Sequence, residues 1–344
     1  METVSISGGA GFLGSNLVDY TIKNNMEVTI VDNLSTSTKD YLSKDAEFVY
    51  SHIENFNTNK HFDYVIRLAS RPSPKDYINH PIDTLMTNST GTKIMLDIAT
   101  KENAIFFYTS SSEVYGNSTV LPIPETYSGN VNPNGLRSCY DKRKKFSEAL
   151  SMGYLRKLET DVRIQRPFNV YGPRIRKDAE YGRVIPRFLC WAMSGQAIKI
   201  HSNGMQTRSF LYVDDWIDAT WKILKNKKAK GQVFNTSSNK SVTINLLANI
   251  VKELTNSKSR IIHTAPRKED VNNRCTDITK INKLLGWEPK ISLKEGLQLT
   301  LNCFRSFILT ASWLLPIIKS TSISSWFSMF SAASLKRFRS NDLK

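Results

Sequence analysis

A glycine turn between a strand and a helix, close to the start of the chain, most constrains how this sequence can fold. Thr3 to Ile6 form a short apolar strand pattern, and apolar residues recur at helical spacing after the turn. Between them lies Gly8-Gly-Ala-Gly11-Phe-Leu-Gly14. Glycines there let the backbone approach a pyrophosphate, and the first free amides of the helix, around Phe12 and Leu13, bind its charge. The turn therefore predicts a dinucleotide site.

The next strand pattern supplies a second part of such a site. Glu27 to Val31 is followed by Asp32, at about the distance from the glycines where an acidic residue binds the adenosine ribose hydroxyls. A carboxylate there repels a 2′-phosphate, and Asn33 follows with no adjacent arginine. These residues favour NAD over NADP. The alternative is an aspartate that only caps the end of the strand.

Four more strand patterns alternate with helical stretches along the first half of the chain. They lie at Phe48–Tyr50, Tyr64–Leu68, Ile105–Tyr108 and Val162–Gln165. Strands that alternate with helices are typical of a parallel sheet covered on both faces. The sequence therefore predicts an α/β fold with a Rossmann-type, doubly wound parallel sheet.

The length of 344 residues leaves room for a second, smaller lobe. We expect an NAD-binding domain at 1–180, which includes the catalytic helix described below, and a mainly substrate-binding lobe at 181–303, where the pattern becomes irregular. Residues 304–344 form an atypical tail, apolar at first and then basic. Its apolar part is too short to span a bilayer. We interpret the tail as poorly specified, with peripheral membrane contact as the alternative.

Composition excludes several classes of protein. The formal charge of +16 comes from lysines and arginines that form no long basic block, so we expect no nucleic-acid partner. The same positive charge would attract a small anionic substrate, such as a nucleotide. The four cysteines and five histidines have no close spacing, which predicts neither a metal site nor a disulfide framework. A reducing, cytoplasmic location follows, since the start of the chain leaves no room for a signal peptide.

A tyrosine and a lysine four residues apart, Tyr140 and Lys144, share one face of a predicted helix. An ammonium beside a phenol favours the phenolate, so Tyr140 can take a hydroxyl proton during hydride removal. Such a pair also occurs by chance on surface helices. It gains weight from Thr109-Ser-Ser-Ser-Glu-Val-Tyr-Gly116, which follows a strand at its carboxyl end, where ligands bind in parallel sheets.

Three arginines in the later part of the chain are candidates for binding phosphate or carboxylate, because a guanidinium forks onto either group. They are Arg183, Arg208 and Arg274. The alternative for any one of them is a solvated surface charge.

Taken in order, these motifs resemble the extended short-chain dehydrogenase/reductase family of nucleotide-sugar enzymes, over roughly residues 1–303. Arg166-Pro-Phe-Asn-Val-Tyr-Gly-Pro-Arg174 and Leu284-Leu-Gly-Trp-Glu-Pro289 belong to the same pattern. Within the family, Asn132-Pro-Asn-Gly-Leu-Arg-Ser-Cys-Tyr-Asp141 is similar to the branch that decarboxylates UDP-glucuronate.

The resemblance implies an NAD-dependent cycle that converts UDP-glucuronate to UDP-xylose through a 4-keto intermediate, with NAD regenerated. A UDP-sugar 4-epimerase and a nucleotide-sugar 4,6-dehydratase are the alternatives. Ser112 stands where the dehydratases carry an aspartate, and the epimerases usually lack the carboxylate of Glu113. The resemblance also implies a homodimer whose contact includes the Tyr140 helix.

Roles for individual residues follow by position from the resemblance. Ser111 is expected to be the hydroxyl partner of Tyr140, and Ser112, Glu113 and Arg274 to form the decarboxylation group. Besides the glycine turn, Asp32, Asn33, Tyr140 and Lys144, the residues expected to line the cofactor are Leu68, Ala69, Ser70, Thr87 and Arg183. The residues expected to bind substrate are Asn88, Asn169, Arg208 and Arg274. Met86 and His52 depart from the family pattern, which usually has a lysine and an acidic residue there.

Overall fold

The computed structural model describes residues 1–177, 183–266 and 273–313, with side chains described up to residue 306 in the final helix. The predicted boundary between the lobes, near residue 181, lies outside the described residues. The same is true of 314–344, which make up most of the predicted tail. Within the described ranges, no helix is both long enough and apolar enough to cross a membrane.

Fourteen strands are found in the described residues. In chain order they are β1 Thr3–Ser7, β2 Glu27–Asp32, β3 Glu47–Tyr50, β4 Tyr64–Arg67, β5 Ile105–Thr109, β6 Val162–Pro167, β7 Val170–Tyr171, β8 Ile198–His201, β9 Thr207–Ser209, β10 Leu211–Tyr212, β11 Val233–Thr236, β12 Ser241–Thr243, β13 Ile261–Thr264 and β14 Asn273–Arg274.

Nine α-helices accompany them in the same part of the chain. They are α1 Phe12–Lys23, α2 Pro74–Asn79, α3 Pro81–Lys101, α4 Ser138–Leu158, α5 Val184–Met193, α6 Val213–Lys225, α7 Ile244–Thr255, α8 Thr279–Leu285 and α9 Leu293–Trp313.

Seven of the strands form one parallel sheet in the order β3-β2-β1-β4-β5-β6-β11. All six strands predicted from the sequence belong to it, so the predicted Rossmann-type α/β fold is confirmed. The sequence prediction missed β11, which comes from the segment assigned to the second lobe. The direction of winding reverses between β1 and β4, which creates the crevice where such sheets bind ligands.

Helices cover both faces of this sheet, because successive side chains of a strand point to opposite faces. On one face, Phe107 of β5 belongs to a buried cluster that contains Leu17 of α1 and Trp216 of α6. On the other face, Phe106 of the same strand packs in a cluster with Met95 of α3. The result is a three-layer arrangement with the sheet in the middle.

The remaining strands form small sheets beside the carboxyl edge of the large one: β7 with β10, β8 with β13, and β12-β9-β14. Phe188 of α5, Leu247 of α7 and Trp287 belong to the same buried cluster as the α1 face of the large sheet. A continuous core therefore fixes this part of the chain against the sheet. The residue limits of the two lobes stay a prediction.

The glycine turn packs so closely that side chains would not fit. Gly8 has a φ of +78°, and a Cβ atom there would lie 2.6 Å from the backbone nitrogen of Ala69. A Cβ atom at Gly14 would lie 2.1 Å from the carbonyl oxygen of Gly8. The first turn of α1 is therefore held directly against the loop that precedes it.

Replacing Gly14 by Ala should lower the free energy of unfolding by about 1–3 kcal/mol, because the added methyl group collides with a backbone carbonyl. Gly153 in α4 is a matched control, since a Cβ atom there meets nothing within 4 Å. Gly153→Ala should raise stability by about 0.5–1 kcal/mol through helix propensity. Urea denaturation followed by circular dichroism measures both. Equal stability of the two variants would contradict the close packing of the turn.

Candidate active site

Most of the predicted site residues lie at one edge of the central sheet, because the carboxyl ends of parallel strands meet there. The glycine turn follows β1, and Asp32 is the last residue of β2. Residues 68–70 follow β4, and Ser111, Ser112 and Glu113 follow β5. The fold therefore brings together groups that are far apart in the sequence.

The side chain of Asp32 is fixed beside the glycine turn. Its Oδ2 accepts a hydrogen bond from the backbone nitrogen of Ala10 at 3.1 Å. Its Oδ1 accepts from the nitrogen of Leu34 at 2.8 Å and from the hydroxyl of Ser37 at 2.9 Å. An ionised carboxylate has about four acceptor positions, so capacity for a ribose hydroxyl remains. The closely packed glycine turn and this carboxylate together fit a dinucleotide.

A buried arginine that the sequence prediction did not include holds the predicted cofactor-lining loop after β4 by hydrogen bonds. Arg67 is fully buried and donates to the carbonyl oxygens of Ala69 and, at 2.6 Å, Thr87. The hydroxyl of Thr87 donates to Glu54 at 2.7 Å. Burial lowers the pKa of Arg67 to about 10, which leaves it charged at neutral pH.

A second buried arginine holds the same loop onto α4. Arg143 donates to the Ser70 hydroxyl and to the Arg71 carbonyl, both at 2.9 Å, and to the Thr84 carbonyl at 3.1 Å. Its guanidinium carbon lies 4.3 Å from the centroid of the Tyr140 ring. Burial lowers the pKa of Arg143. The loop, α3 and the Tyr140 helix are thus held together by one side chain.

Tyr140 and Lys144 lie one turn apart on α4, as their spacing predicts, and both are buried. The ammonium of Lys144 donates to the carbonyl oxygen of Thr109 at 2.7 Å. Burial, together with the charges of Arg143 and Arg67, lowers the pKa of Lys144. This hydrogen bond anchors α4 to the carboxyl end of β5, immediately before the serine run.

A cavity of about 230 Å³ opens between this sheet edge and the later part of the chain. Eight residues predicted from the sequence line it: Ser111, Ser112, Glu113, Tyr140, Asn169, Arg183, Arg208 and Arg274. The sequence prediction gave no role to six other polar residues of the lining: Tyr77, Arg137, Arg187, Lys199, His201 and Gln206.

The predicted substrate residue Asn88 is not brought to this cavity. It is fully buried in α3, and its amide donates to the carbonyl oxygen of Thr84 at 3.1 Å. Its own backbone carbonyl accepts from the hydroxyl of Ser147 on α4 at 2.6 Å. In this structure Asn88 connects α3 to α4. The two positions that depart from the family pattern also lie outside the cavity lining: Met86 is 48% exposed on α3, and His52 contacts the Asn33 amide at 3.2 Å.

Two arginines bind the carboxylate of Glu113. Arg274 forks onto it, with Nη2 donating to Oε2 at 2.9 Å and Nη1 contacting Oε1, and Arg137 also donates to Oε2. Burial favours the neutral acid, but the charges of Arg274 and Arg137 outweigh it and lower the pKa of Glu113 to about 2. Ser112 accepts a longer bond from Arg274 at 3.4 Å. Glu113 is therefore ionised throughout the neutral range.

Pairing between two short strands positions the arginines of the later segment. β14 runs parallel to β9, with Arg274 beside Arg208 in the register. Asn273 pairs with Thr207 in the same way. This pairing explains how two arginines distant in sequence reach one cavity wall.

Further basic side chains line the cavity. Arg183 and Arg187 lie at the start of α5, and Lys199 and His201 alternate along β8 with the buried Ile200. Guanidinium and ammonium groups of this kind bind phosphate oxygens. The arrangement can hold a nucleotide diphosphate, a sugar hydroxyl at Tyr140 and a substrate carboxylate at Arg274.

Comparisons with known proteins agree with this geometry. The sequence model of the NAD dependent epimerase/dehydratase family matches residues 4–237. UDP-glucuronic acid decarboxylase 5 of Arabidopsis thaliana is 40% identical over 312 residues, which cover 88% of this chain and 89% of the relative. UDP-glucuronic acid decarboxylase 1 of Xenopus tropicalis is 37% identical over 313 residues, which cover 88% of this chain and 72% of the relative.

Solved structures show the same architecture. The UDP-glucose 4-epimerase of Thermotoga maritima, solved with UDP-glucose, superposes with a TM-score of 0.84 and 31% identity, covering 89% of this chain and 99% of that one. A UDP-N-acetylglucosamine 4-epimerase of Methanobrevibacter ruminantium, in complex with UDP-N-acetylmuramic acid, superposes with a TM-score of 0.83 and 27% identity. The superposition again covers 89% of this chain and 99% of the other. The chain therefore belongs to the NAD dependent epimerase/dehydratase family, among the extended short-chain dehydrogenases/reductases.

Proposed function

We propose that this protein is an NAD-dependent UDP-glucuronate decarboxylase that produces UDP-xylose. The observation that carries the proposal is the ionised Glu113, held by Arg274 and Arg137, in the same cavity as Tyr140. The tyrosine is sufficient for oxidation at C4. The additional cluster of guanidinium groups suits a substrate that also carries a carboxylate. The names of the relatives at 37–40% identity support the same activity.

NAD supplies the hydride acceptor of the cycle when it is bound. The glycine turn would bind its pyrophosphate, and Asp32 would bind the adenosine ribose and disfavour a 2′-phosphate. Ala69, Ser70 and Thr87 line it on the side that Arg67 and Arg143 brace.

Tyr140 takes the proton from the C4 hydroxyl as the hydride leaves C4, and Ser111 holds the same oxygen by a hydrogen bond. Lys144 contributes positive charge and fixes α4 through its bond to Thr109. The product of this step is a C4 ketone with the carboxylate in the β position. A β-keto carboxylate can lose carbon dioxide because the electron pair passes into an enolate.

Arg274 orients the substrate carboxylate for this loss. In the structure it is forked onto Glu113, which Arg137 also contacts. Glu113 can therefore keep a cationic partner when Arg274 turns one edge toward the substrate. Hydrogen bonds from Tyr140 and Ser111 to the C4 oxygen then stabilise the enolate.

Basic side chains of the cavity bind the UDP moiety. Arg208 and Lys199 attract the diphosphate, Asn169 offers an amide for a hydrogen bond to the substrate, and Arg183 would face the cofactor. Four cysteines without disulfides suit a reducing compartment, so we place the enzyme in the cytoplasm.

A UDP-sugar 4-epimerase is the second candidate, because the solved structures named above include two 4-epimerases. An epimerase uses the same tyrosine chemistry at C4 but has no use for a buried carboxylate paired with two arginines. The 4,6-dehydratase is less well supported, since Ser112 takes the place of its acid.

Incubation of the protein with NAD and UDP-glucuronate should release carbon dioxide and UDP-xylose with no net gain of NADH. Tyr140→Phe removes the proton acceptor and should lower the rate by a factor of about 100 to 10,000. It should still bind NAD, because the glycine turn is unchanged. Anion-exchange chromatography measures the UDP-xylose formed by each protein, and collection of labelled carbon dioxide measures its rate of decarboxylation. UDP-galacturonate without carbon dioxide would favour the epimerase instead.

Replacing Arg274 by Gln should slow the loss of carbon dioxide more than the oxidation at C4, because the variant cannot orient the carboxylate. NADH and a 4-keto sugar should then accumulate, which absorbance and mass spectrometry detect. Arg208→Gln is the matched control: it should weaken UDP-sugar binding through the diphosphate and cause no accumulation. Equal slowing of both steps by Arg274→Gln would contradict the assigned role.

A homodimer is the assembly that we propose. The outer surface of the α3–α4 pair exposes large apolar side chains: Ile82, Leu85 and Met86 on α3, and Phe146 on α4. Apolar groups of this size close together on adjoining helices are typical of an interface.

Phe146→Asp should convert the dimer into monomers, because a charge would be buried without a partner. Leu246→Asp, at a residue that is 47% exposed on the distant α7, should leave the dimer intact. Light scattering coupled to size exclusion measures the mass of each. A monomeric wild-type protein would reject the proposed assembly.

A further inference from the structure

Four charged side chains meet beside Tyr140: the carboxyl groups of Glu113 and Asp141 and the guanidinium groups of Arg137 and Arg274. Both arginines contact Glu113. Arg137 also reaches Asp141, with 4.0 Å from Nε to Oδ2. Asp141 therefore belongs to the same ionic network as the proposed decarboxylation group, although neither the sequence prediction nor the proposed mechanism gives it a role.

Asp141 differs from Glu113 in its surroundings. It is 7% exposed in the first turn of α4, and its Oδ1 accepts no hydrogen bond from any residue within the described ranges. The titratable and charged groups that act on it come from four elements: Glu113 after β5, Arg137, Cys139 and Arg143 on or beside α4, Tyr77 on α2, and Arg274 on β14.

Burial and the negative charge of Glu113 raise the pKa of Asp141 to about 7, and the three arginines offset this only in part. Near neutral pH the aspartic acid is therefore close to half protonated. Glu113 stays ionised over the same range, since its pKa is held to about 2. The network thus contains one permanent carboxylate and one that can take up or release a proton.

The charge balance of this network changes when a uronate enters. Arg137, Arg274 and Arg143 already act on Asp141, and the substrate carboxylate would add a third negative charge to those of Glu113 and an ionised Asp141. Like the charge of Glu113, this added negative charge favours the protonated form of Asp141. The overall reaction also consumes one proton: the C5–C6 bond breaks, its electron pair passes into the enolate, carbon dioxide leaves, and a C5–H bond forms.

We propose that Asp141 takes up a proton when the substrate carboxylate binds and gives it up when carbon dioxide leaves, so that the ionic network beside the cavity holds the proton that decarboxylation consumes. This rests on the proposed function. Asp141 acts through Arg137 and Glu113, and is a positioning residue for the charge balance of the site.

The test is the number of protons taken up on binding, measured by isothermal titration calorimetry in two buffers of different ionisation enthalpy. The protein is loaded with NADH, which cannot accept a hydride, so the ligand stays intact. UDP-xylose is the matched control ligand, since it has the same diphosphate and no carboxylate. At about pH 8, UDP-glucuronate should take up about one proton more than UDP-xylose. The difference should disappear at about pH 5.5, where Asp141 is already protonated.

Asp141→Asn keeps the size of the side chain and removes its titration. The variant should bind both ligands with equal proton uptake at every pH, and UDP-xylose should bind it as tightly as it binds the wild type. Equal uptake for the two ligands in the wild-type protein would overturn the proposal and leave the decarboxylase assignment intact. Failure of UDP-glucuronate to bind a protein that binds UDP-xylose would overturn the assignment and the proposal together. The wild-type comparison decides the proposal by itself, whether or not the variant folds.

Discussion

The ion pair between Glu113 and Arg274, shared with Arg137, is the contact on which the site depends. Burying a carboxylate even partly is costly unless its charge is matched, and here two guanidinium groups match it. The three residues come from the turn after β5, from the start of α4 and from β14. One interaction therefore joins the sheet, the catalytic helix and the later segment around the cavity.

Buried cations also support the neighbouring part of the site. Arg67 and Arg143 donate to the backbone of the loop after β4 and to α3, and Lys144 donates to the last carbonyl of β5. Each of these side chains satisfies carbonyl groups that would otherwise be buried without a hydrogen bond. The Tyr140 ring is consequently placed by hydrogen bonds at several points of the backbone rather than by apolar packing alone.

The sequence predicts best what local pattern determines. The strand spacing predicted the sheet, and the glycine turn, Asp32 and the spacing of Tyr140 and Lys144 are visible within short windows. Contacts between distant segments could not be predicted in this way. The pairing of β14 with β9 brings Arg274 to Arg208, and the rotation of α3 against α4 turns Asn88 into the core. Arg137, one helical turn before Tyr140, was open to detection from its spacing.

The short pairing of β9 with β14 has a consequence for how enzymes of this architecture can diverge. In the proposed mechanism, hydride chemistry depends on α4 and the strand ends of the large sheet. The substrate carboxylate is handled by Arg274, which belongs to the two-residue strand β14. That small ribbon contributes neither Tyr140 nor Lys144. Selection can therefore exchange one sugar modification for another by altering a peripheral segment, without rebuilding the nucleotide-binding scaffold.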